Sequence, residues 1–311
     1  MLEPSDHPVV DQPVVVGVDG TPGGEGALRY AVAEARRRAV GLRLVHVLAD
    51  GLNVMPAVPP TVFRDAGKEV LDNALATARH LGPELDIHGE LLIGRRSDAL
   101  VHAARDAALL VLGRETRSWV DRLLTGTTTA AAAAHAPCDV VVVPSFWTGG
   151  ATPRRVVVGV RSVSDAGTAV ARAMAEAAWR GCGLTAVTAW HVPDIYLDTI
   201  EVRTHADEWT AHGEADLECL VAPLRAIYPD VDVSLEVVHG RPAAVLLSAA
   251  EGGDLLVVTR RHFTLPPHER LGGVGHSVLR LSDVPVLVVP SGHDRPQAPE
   301  LALETAGAPL K

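Results

Sequence analysis

The chain has 311 residues, 47% hydrophobic and 21% charged, with a net charge of −10 at neutral pH. That length suits about two globular domains, each able to bury a core without disulfides or metals. Only Lys68 and Lys311 are lysines and both halves are acidic, so no clustered basic face exists to neutralise phosphates, which excludes nucleic acid and a charged membrane surface as expected partners.

Cys138, Cys182 and Cys219 are far apart, odd in number and form no CxxC. They make neither a disulfide framework nor a zinc ribbon, and they fit a reducing cytosol. The longest apolar runs hold four to seven residues, far below the roughly 20 that span a bilayer. Met1–Gln12 is acidic and proline-rich and lacks an apolar signal core. The expected location is cytoplasmic, with no membrane.

The chain repeats itself. Val14-Val-Val-Gly-Val18 returns as Val156-Val-Val-Gly-Val160, and Gly41–Val45 as Gly183–Val187, both 142 residues later. Further on the offset is 146: Gly94-Arg95 matches Gly240-Arg241, Leu110–Arg114 matches Leu256–Arg260, and Val140–Pro144 matches Val286–Pro290. The difference fits an insertion within 191–228. The expected organisation is a domain over 13–145, a linker over 146–153, a second domain over 154–291, and a disordered tail over 292–311.

Short runs rich in Val, Leu and Ile predict strands at 14–18, 42–48, 87–93, 109–113 and 139–143, as strands covered on both faces should read. Helical patterns lie between them at 24–38, 63–81, 97–107 and 127–135. Val70, Leu71, Ala74, Leu75, Ala78 and Leu81 recur at three-to-four spacing and give the second helix one apolar face. Ser97 is placed to cap the third helix, and Pro242 to occupy the first turn of its partner in the second copy. Strand–helix alternation with right-handed crossovers predicts an α/β fold: two tandem Rossmann-like doubly wound domains, each a five-stranded parallel sheet of order 3-2-1-4-5 with helices on both faces. The fifth strands are apolar edges, and pairing them with each other across a pseudo-twofold axis would cover both.

Ligands of such sheets bind beyond the C-terminal strand ends, where strand order reverses. Two segments sit there in the first copy. One is Gly17-Val18-Asp19-Gly-Thr-Pro-Gly-Gly24, whose Asp19 can accept hydrogen bonds from a ribose or adenine. The other is Leu112-Gly113-Arg114-Glu-Thr116, nine residues to Thr125, then Gly126-Thr127-Thr128-Thr129 opening an alanine-rich helix. Gly113 leaves room for a ligand at the strand end. Hydroxyls beside free amides at a helix N-terminus form a phosphate cradle. Taken singly, glycines after strands also read as turns and threonines before helices as caps.

Gly113-x2-Thr116-x9-Gly126-Thr127, after an apolar strand and ahead of His135-Ala-Pro-Cys-Asp-Val-Val-Val-Val-Pro144, resembles the universal stress protein family and its ATP-binding pattern G-x2-G-x9-G-[S/T]. The resemblance spans both repeats, so the chain is similar to a tandem member. It implies Asp19 at the adenosine, Val47 beside the base, Gly113 by the ribose, and Gly126, Thr127, Thr128 and Thr129 at the phosphates of ATP, with or without Mg2+. Gly17, Val18, Leu112 and Arg114 flank these positions and complete the expected nucleotide-binding set. One departure stands in the motif, where Thr116 replaces the second glycine. The second copy departs further. Arg161 stands at the place of Asp19, Thr259 at that of Gly113, His262 at that of Thr116 and Gly273 at that of Thr127, although Gly272 keeps that of Gly126, so it is expected to bind ATP weakly or not at all. Arg161, Arg260, Arg261 and His262 read either as a site for another anion or as a solvated loop.

Neither GxGxxG after a first strand, nor GxxxxGK[ST], GxSxG or HExxH is present. His205, Glu208 and His212 share one face of a helix over 200–220, but the acidic surroundings favour a solvated face over zinc. Trp119, Leu123 and Leu124 read as a lid or as a patch on the neighbouring copy. The expected function is an ATP-binding regulatory protein of the stress response, with an unidentified protein partner and an internal pair that can dimerise again. The alternative is a scaffold that binds no nucleotide. No catalytic residue is named. Slow ATP hydrolysis would call on Asp19, Glu115 and Asp121 to orient a water.

Overall fold

The computed structural model describes residues 12–49, 59–114, 127–149, 154–192, 194–264 and 267–291. The tail expected over 292–311 and residues 150–153 of the linker lie outside them. The first half runs β1 (Val14–Gly17), α1 (Glu25–Arg38), β2 (Leu42–Leu48), α2 (Pro60–Leu81), β3 (Ile87–Ile93), α3 (Arg96–Ala103), β4 (Leu109–Arg114), α4 (Thr127–His135) and β5 (Asp139–Pro144). The second half runs β6 (Arg155–Val160), α5 (Val163–Arg180), β7 (Gly183–Trp190), α6 (Ile195–Arg225), β8 (Val233–His239), α7 (Pro242–Ala250) and β9 (Leu255–Thr259). A hairpin of β10 (Arg261–Thr264) and β11 (Pro267–Arg270) then precedes α8 (Gly273–Leu281) and β12 (Val286–Val289).

All strands but the hairpin join one ten-stranded sheet of order β3-β2-β1-β4-β5-β12-β9-β6-β7-β8. Each half is a parallel five-stranded sheet of order 3-2-1-4-5. The two meet antiparallel at β5 and β12, with Val142 opposite Val286, Val141 opposite Leu287 and Val140 opposite Val288. These six side chains are essentially fully buried. Each such aliphatic residue contributes about 1.5–3 kcal/mol relative to exposure.

Side chains alternate along the strands as a period of two requires. Val14, Val16, Val156 and Val158 enter one apolar layer with residues of α1, α2, α5 and α6. Val15 and Val157 enter the opposite layer, with α3, α4, α7 and α8. Both layers run unbroken across the two domains. Pro242 opens α7 at its first position. Ser97 does not cap α3: the cap position is Arg95, in extended conformation after Gly94 at φ +151°, and the Ser97 hydroxyl donates to Asp98 Oδ1 (3.1 Å) inside the first turn. The turn at Gly94 starts the helix a residue earlier than the cap rule places it. α6 has 31 residues against 22 in α2 and lies in the segment where the repeats change offset.

α1 and α5 meet over the seam through a charge cluster that repeats the internal symmetry. Glu34 and Arg38 of α1 correspond to Glu176 and Arg180 of α5. Arg38 donates to Glu34 (3.2 Å) and across the seam to Glu176 (2.8 Å). Arg180 donates to Glu176 (2.9 Å) and across to Glu34 (2.8 Å). Both glutamates are 1% exposed. Arg37 adds a further bond to Glu34, Arg172 pairs with the buried Asp139 at the start of β5 (2.8 Å), and Arg180 donates to the Tyr30 hydroxyl (2.9 Å). Trp147, from the linker, packs edge-on against Tyr30 at 5.1 Å. Among the described residues no helix is long and apolar enough to cross a membrane.

Burial alone would favour the neutral Glu34 acid, but Arg180, Arg37 and Arg38 outweigh it and hold the carboxyl below its ordinary 4.5. A carboxyl depressed in the folded state adds stability above its unfolded pKa and loses it as the pH falls towards the folded value. Stability measured by denaturant titration should therefore decline as the pH drops below about 4.5. Glu34→Gln, which leaves buried guanidinium charge uncompensated, should cost about 3–5 kcal/mol at pH 7 and flatten that acid limb.

Candidate functional site

In each half the order of strands reverses between the first and fourth, β1/β4 and β6/β9. This is where an open α/β sheet leaves a crevice beyond its C-terminal strand ends. Asp19 follows β1 there. Its Oδ1 accepts from the Thr21 amide (2.9 Å) and the Thr21 hydroxyl (2.8 Å), while Oδ2 has no hydrogen-bond partner among the described residues. Gly20, at φ +76°, turns the chain into a single 3-10 turn, Pro22–Gly24, that leads into α1. That turn lies on the end of β4: a Cβ on Gly113 would stand 3.4 Å from the Gly23 carbonyl oxygen and 3.5 Å from Gly24 Cα. A Cβ on Gly24 would stand 3.2 Å from Asp19 Oδ1. Asp19, Gly24 and Gly113 thus form one continuous floor.

α4 supplies the adjoining wall. The chain ascends β4 and must descend before starting the parallel β5, so the N-terminus of α4 lies at the crevice end of the sheet. Thr128 and Thr129 are half-buried in its first turn. Gly126, Thr116, Glu115, Asp121 and the apolar residues Trp119, Leu123 and Leu124 lie outside the described residues, as does the side chain of Thr127.

The remaining positions of the expected set have other engagements. The Val18 amide donates to the Val45 carbonyl (2.9 Å), and the Val18 carbonyl meets His46 Nδ1 at 2.7 Å. Val47 and Leu112 are buried in the α3/α4 layer. Gly17 has a packing reason to be glycine: a Cβ there would fall 2.9 Å from Leu112 Cδ2 and 3.2 Å from Leu100 Cδ2. Gly159 repeats this in the second copy against Leu246, at 2.8 Å. The Arg114 guanidinium leaves the crevice for the other domain and donates to the Leu279 carbonyl of α8 (3.3 Å).

The equivalent crevice of the second domain is furnished differently. Arg161, at the Asp19 position, is paired with Asp165 of α5. Thr259 replaces Gly113 and bonds its own neighbour's carbonyl (3.2 Å). The exposed Arg261 lies against Gly272 at the start of α8, where a Cβ would fall on its side chain. The β10–β11 hairpin stands where the first domain has residues 115–126. Arg260 is neither a solvated residue nor free for an anion. It is 3% exposed and donates to the carbonyls of Ala136 (2.5 Å) and Cys138 (3.1 Å) in the first domain. Arg114 and Arg260 occupy equivalent positions, so the two domains exchange arginines across the seam. The signal was the shared arginine at offset 146, but no local pattern tells which way such a side chain turns.

His205 and His212 pair along α6 with Glu201 (3.2 Å) and Asp216 (3.8 Å). Among the described residues no group of three or more His, Cys, Asp or Glu is arranged to hold a metal ion.

The sequence model of the Universal stress protein family matches twice, over residues 12–144 and 152–290. The chain belongs to this family, as a tandem member. It is 30% identical over 291 residues to universal stress protein Rv2623 of Mycobacterium tuberculosis (strain ATCC 25618 / H37Rv), a match covering 88% of this chain and 95% of that protein. It is 31% identical to universal stress protein Rv2005c of the same strain, covering 88% and 96%. Among solved structures, a universal stress protein from Archaeoglobus fulgidus DSM 4304 superposes with a TM-score of 0.67 at 16% identity, covering 92% of this chain and 99% of that one. This last likeness is one of fold.

The packing separates glycines needed by the core from those lining the crevice. Gly17→Ala and Gly159→Ala should each cost about 1–3 kcal/mol through overpacking against leucines. Gly113→Ala places its Cβ at ordinary contact distance and should leave the thermal midpoint within a few degrees. Parallel thermal denaturation of the three variants checks this.

Proposed function

We propose that this universal stress protein binds one ATP per chain, in the N-terminal domain, and that occupancy of that crevice sets the conformation or partners of a cytoplasmic regulatory protein. The observation that supports this most is the contrast between the two crevices. In the first, a carboxylate oxygen with no hydrogen-bond partner among the described residues, a glycine strand end and the first turn of a threonine-rich helix all lie at the C-terminal end of the strands. In the second, the same positions hold an arginine paired to Asp165, a threonine and an arginine lying on the helix start. The residues present suit an adenine nucleotide: Asp19 can take the hydroxyls of a ribose, and the amides and hydroxyls of Thr127–Thr129 can take phosphate oxygens. Mg2+ would be brought by the triphosphate rather than held by a protein cage.

A scaffold that binds no nucleotide is the second reading. Thr116 in place of the motif's glycine and the altered second crevice favour it. Equilibrium dialysis with labelled ATP, together with mass spectrometry of protein purified without added nucleotide, separates the two. The expected stoichiometry is one. Asp19→Ala removes a charged hydrogen bond worth about 1.5–3 kcal/mol and should weaken binding by about tenfold or more. No binding below millimolar ATP would establish the scaffold, and two nucleotides per chain would overturn the asymmetry.

A further inference from the structure

Helix α4 is poorly anchored by its own side chains. Its nine residues are Thr127-Thr-Thr-Ala-Ala-Ala-Ala-Ala-His135, and its core contacts among the described side chains come from the methyl groups of Ala130, Ala132, Ala133 and Ala134. The counterpart α8 drives Val278 and Leu279 into the same layer. Methyl groups give a helix little purchase against sliding or rotation, since each offers few contact atoms. Polar anchors must therefore do more of the positioning at α4.

Those anchors come from the second domain. Arg260, buried at the end of β9, bonds the carbonyls of Ala136 and Cys138, which bracket the exit of α4 into β5. The Ala136 carbonyl, directly after the last helical residue, lies at the negative end of the helix dipole, so a buried guanidinium is compensated there. Strand β11 of the same domain also lies against α4. The reciprocal arginine, Arg114, reaches α8, whose apolar side chains already hold it.

We propose that Arg260 of the second domain is a positioning residue for the nucleotide site of the first. By clamping the C-terminal end of α4, it fixes where the amides at the other end present themselves to phosphate. The inference rests on the nucleotide reading above. It gives the second domain a role in ligand binding although its own crevice holds different residues, and it predicts an effect on phosphate recognition rather than on adenosine recognition.

The test compares ATP and adenosine affinities by equilibrium dialysis in wild type, Arg260→Met, Arg260→Lys and Arg172→Met. Arg260→Met should weaken ATP by about tenfold while adenosine changes by less than about twofold. Arg260→Lys, which keeps one donor and the charge, should fall between wild type and Arg260→Met, and it is the variant read if the methionine protein does not fold. Arg172→Met loosens the same seam from the opposite face of the sheet and should lower thermal stability without changing the ratio of the two affinities. Equal loss of ATP and adenosine, an unchanged ratio, or the same shift in Arg172→Met would overturn the inference while wild-type ATP binding leaves the nucleotide reading standing. A wild type that binds neither ligand would remove that reading and this inference with it.

Discussion

A parallel five-stranded sheet ends in a strand whose outer N–H and C=O groups have no partner. When that strand is Asp139–Pro144, buried on both faces, water cannot serve the unpaired groups and the chain must cover them. The antiparallel pairing of β5 with β12 is the solution, and much else in the molecule follows from it. It brings α1 beside α5 on one face of the sheet and α4 towards α8 on the other. It also forces charged residues near the seam into places where an unpaired group would be costly. The Glu34–Arg38–Glu176–Arg180 quartet answers this by giving each charge a partner in its own domain and another across the seam. Docking the halves differently would strip each charge of its cross-seam partner while it stays near the buried seam, so the quartet discriminates against such arrangements.

The two copies also serve as an internal comparison. Positions that build the seam and the core are held in common: Glu34 with Glu176, Arg38 with Arg180, Arg114 with Arg260, Gly17 with Gly159. Most positions of the expected crevice set are not, although Gly126 is matched by Gly272: Asp19 stands against Arg161, Gly113 against Thr259, Thr127 against Gly273. The second half folds to the same topology without the crevice residues, so those residues are dispensable for folding there. The first half retains an acidic, glycine-rich crevice with hydroxyls at the helix start. Such a set has no evident role in packing beyond the ordinary contact of Gly113 with Gly23 and Gly24, and this is what gives the nucleotide reading its weight.

Function in such an arrangement need not stay within one domain. Helix α4 of the first domain, made mostly of alanine, is held just beyond its last residue by an arginine from the second. The proposed role of Arg260 would make the seam that solves an edge-strand problem a route by which one half influences the other, because the carbonyls of Ala136 and Cys138 lie in the connection between α4 and the seam strand.

The strands and the helices between them were legible in the linear sequence because they depend on local periodicity, and the repeat because the two copies share short motifs; the pairing of the fifth strands followed from the need to cover two apolar edges. Valine runs alternate across a sheet wherever they lie, the spacing of Leu71, Leu75 and Ala78 makes one helical face, and Pro242 suits the first helical position in any context. The start of α3 was misjudged at Ser97 because it depends on the turn at Gly94. The site was legible only as a set of residue types. That Gly17 serves Leu100 and Leu112, that Arg114 turns away from the crevice, and that Arg260 is buried against Ala136 and Cys138 were decided by tertiary structure. Each of these contacts joins residues brought together by the sheet order and the seam, in the case of Arg260 more than a hundred positions apart, and the direction of a long side chain is set by the partners that satisfy its donors rather than by its neighbours in sequence.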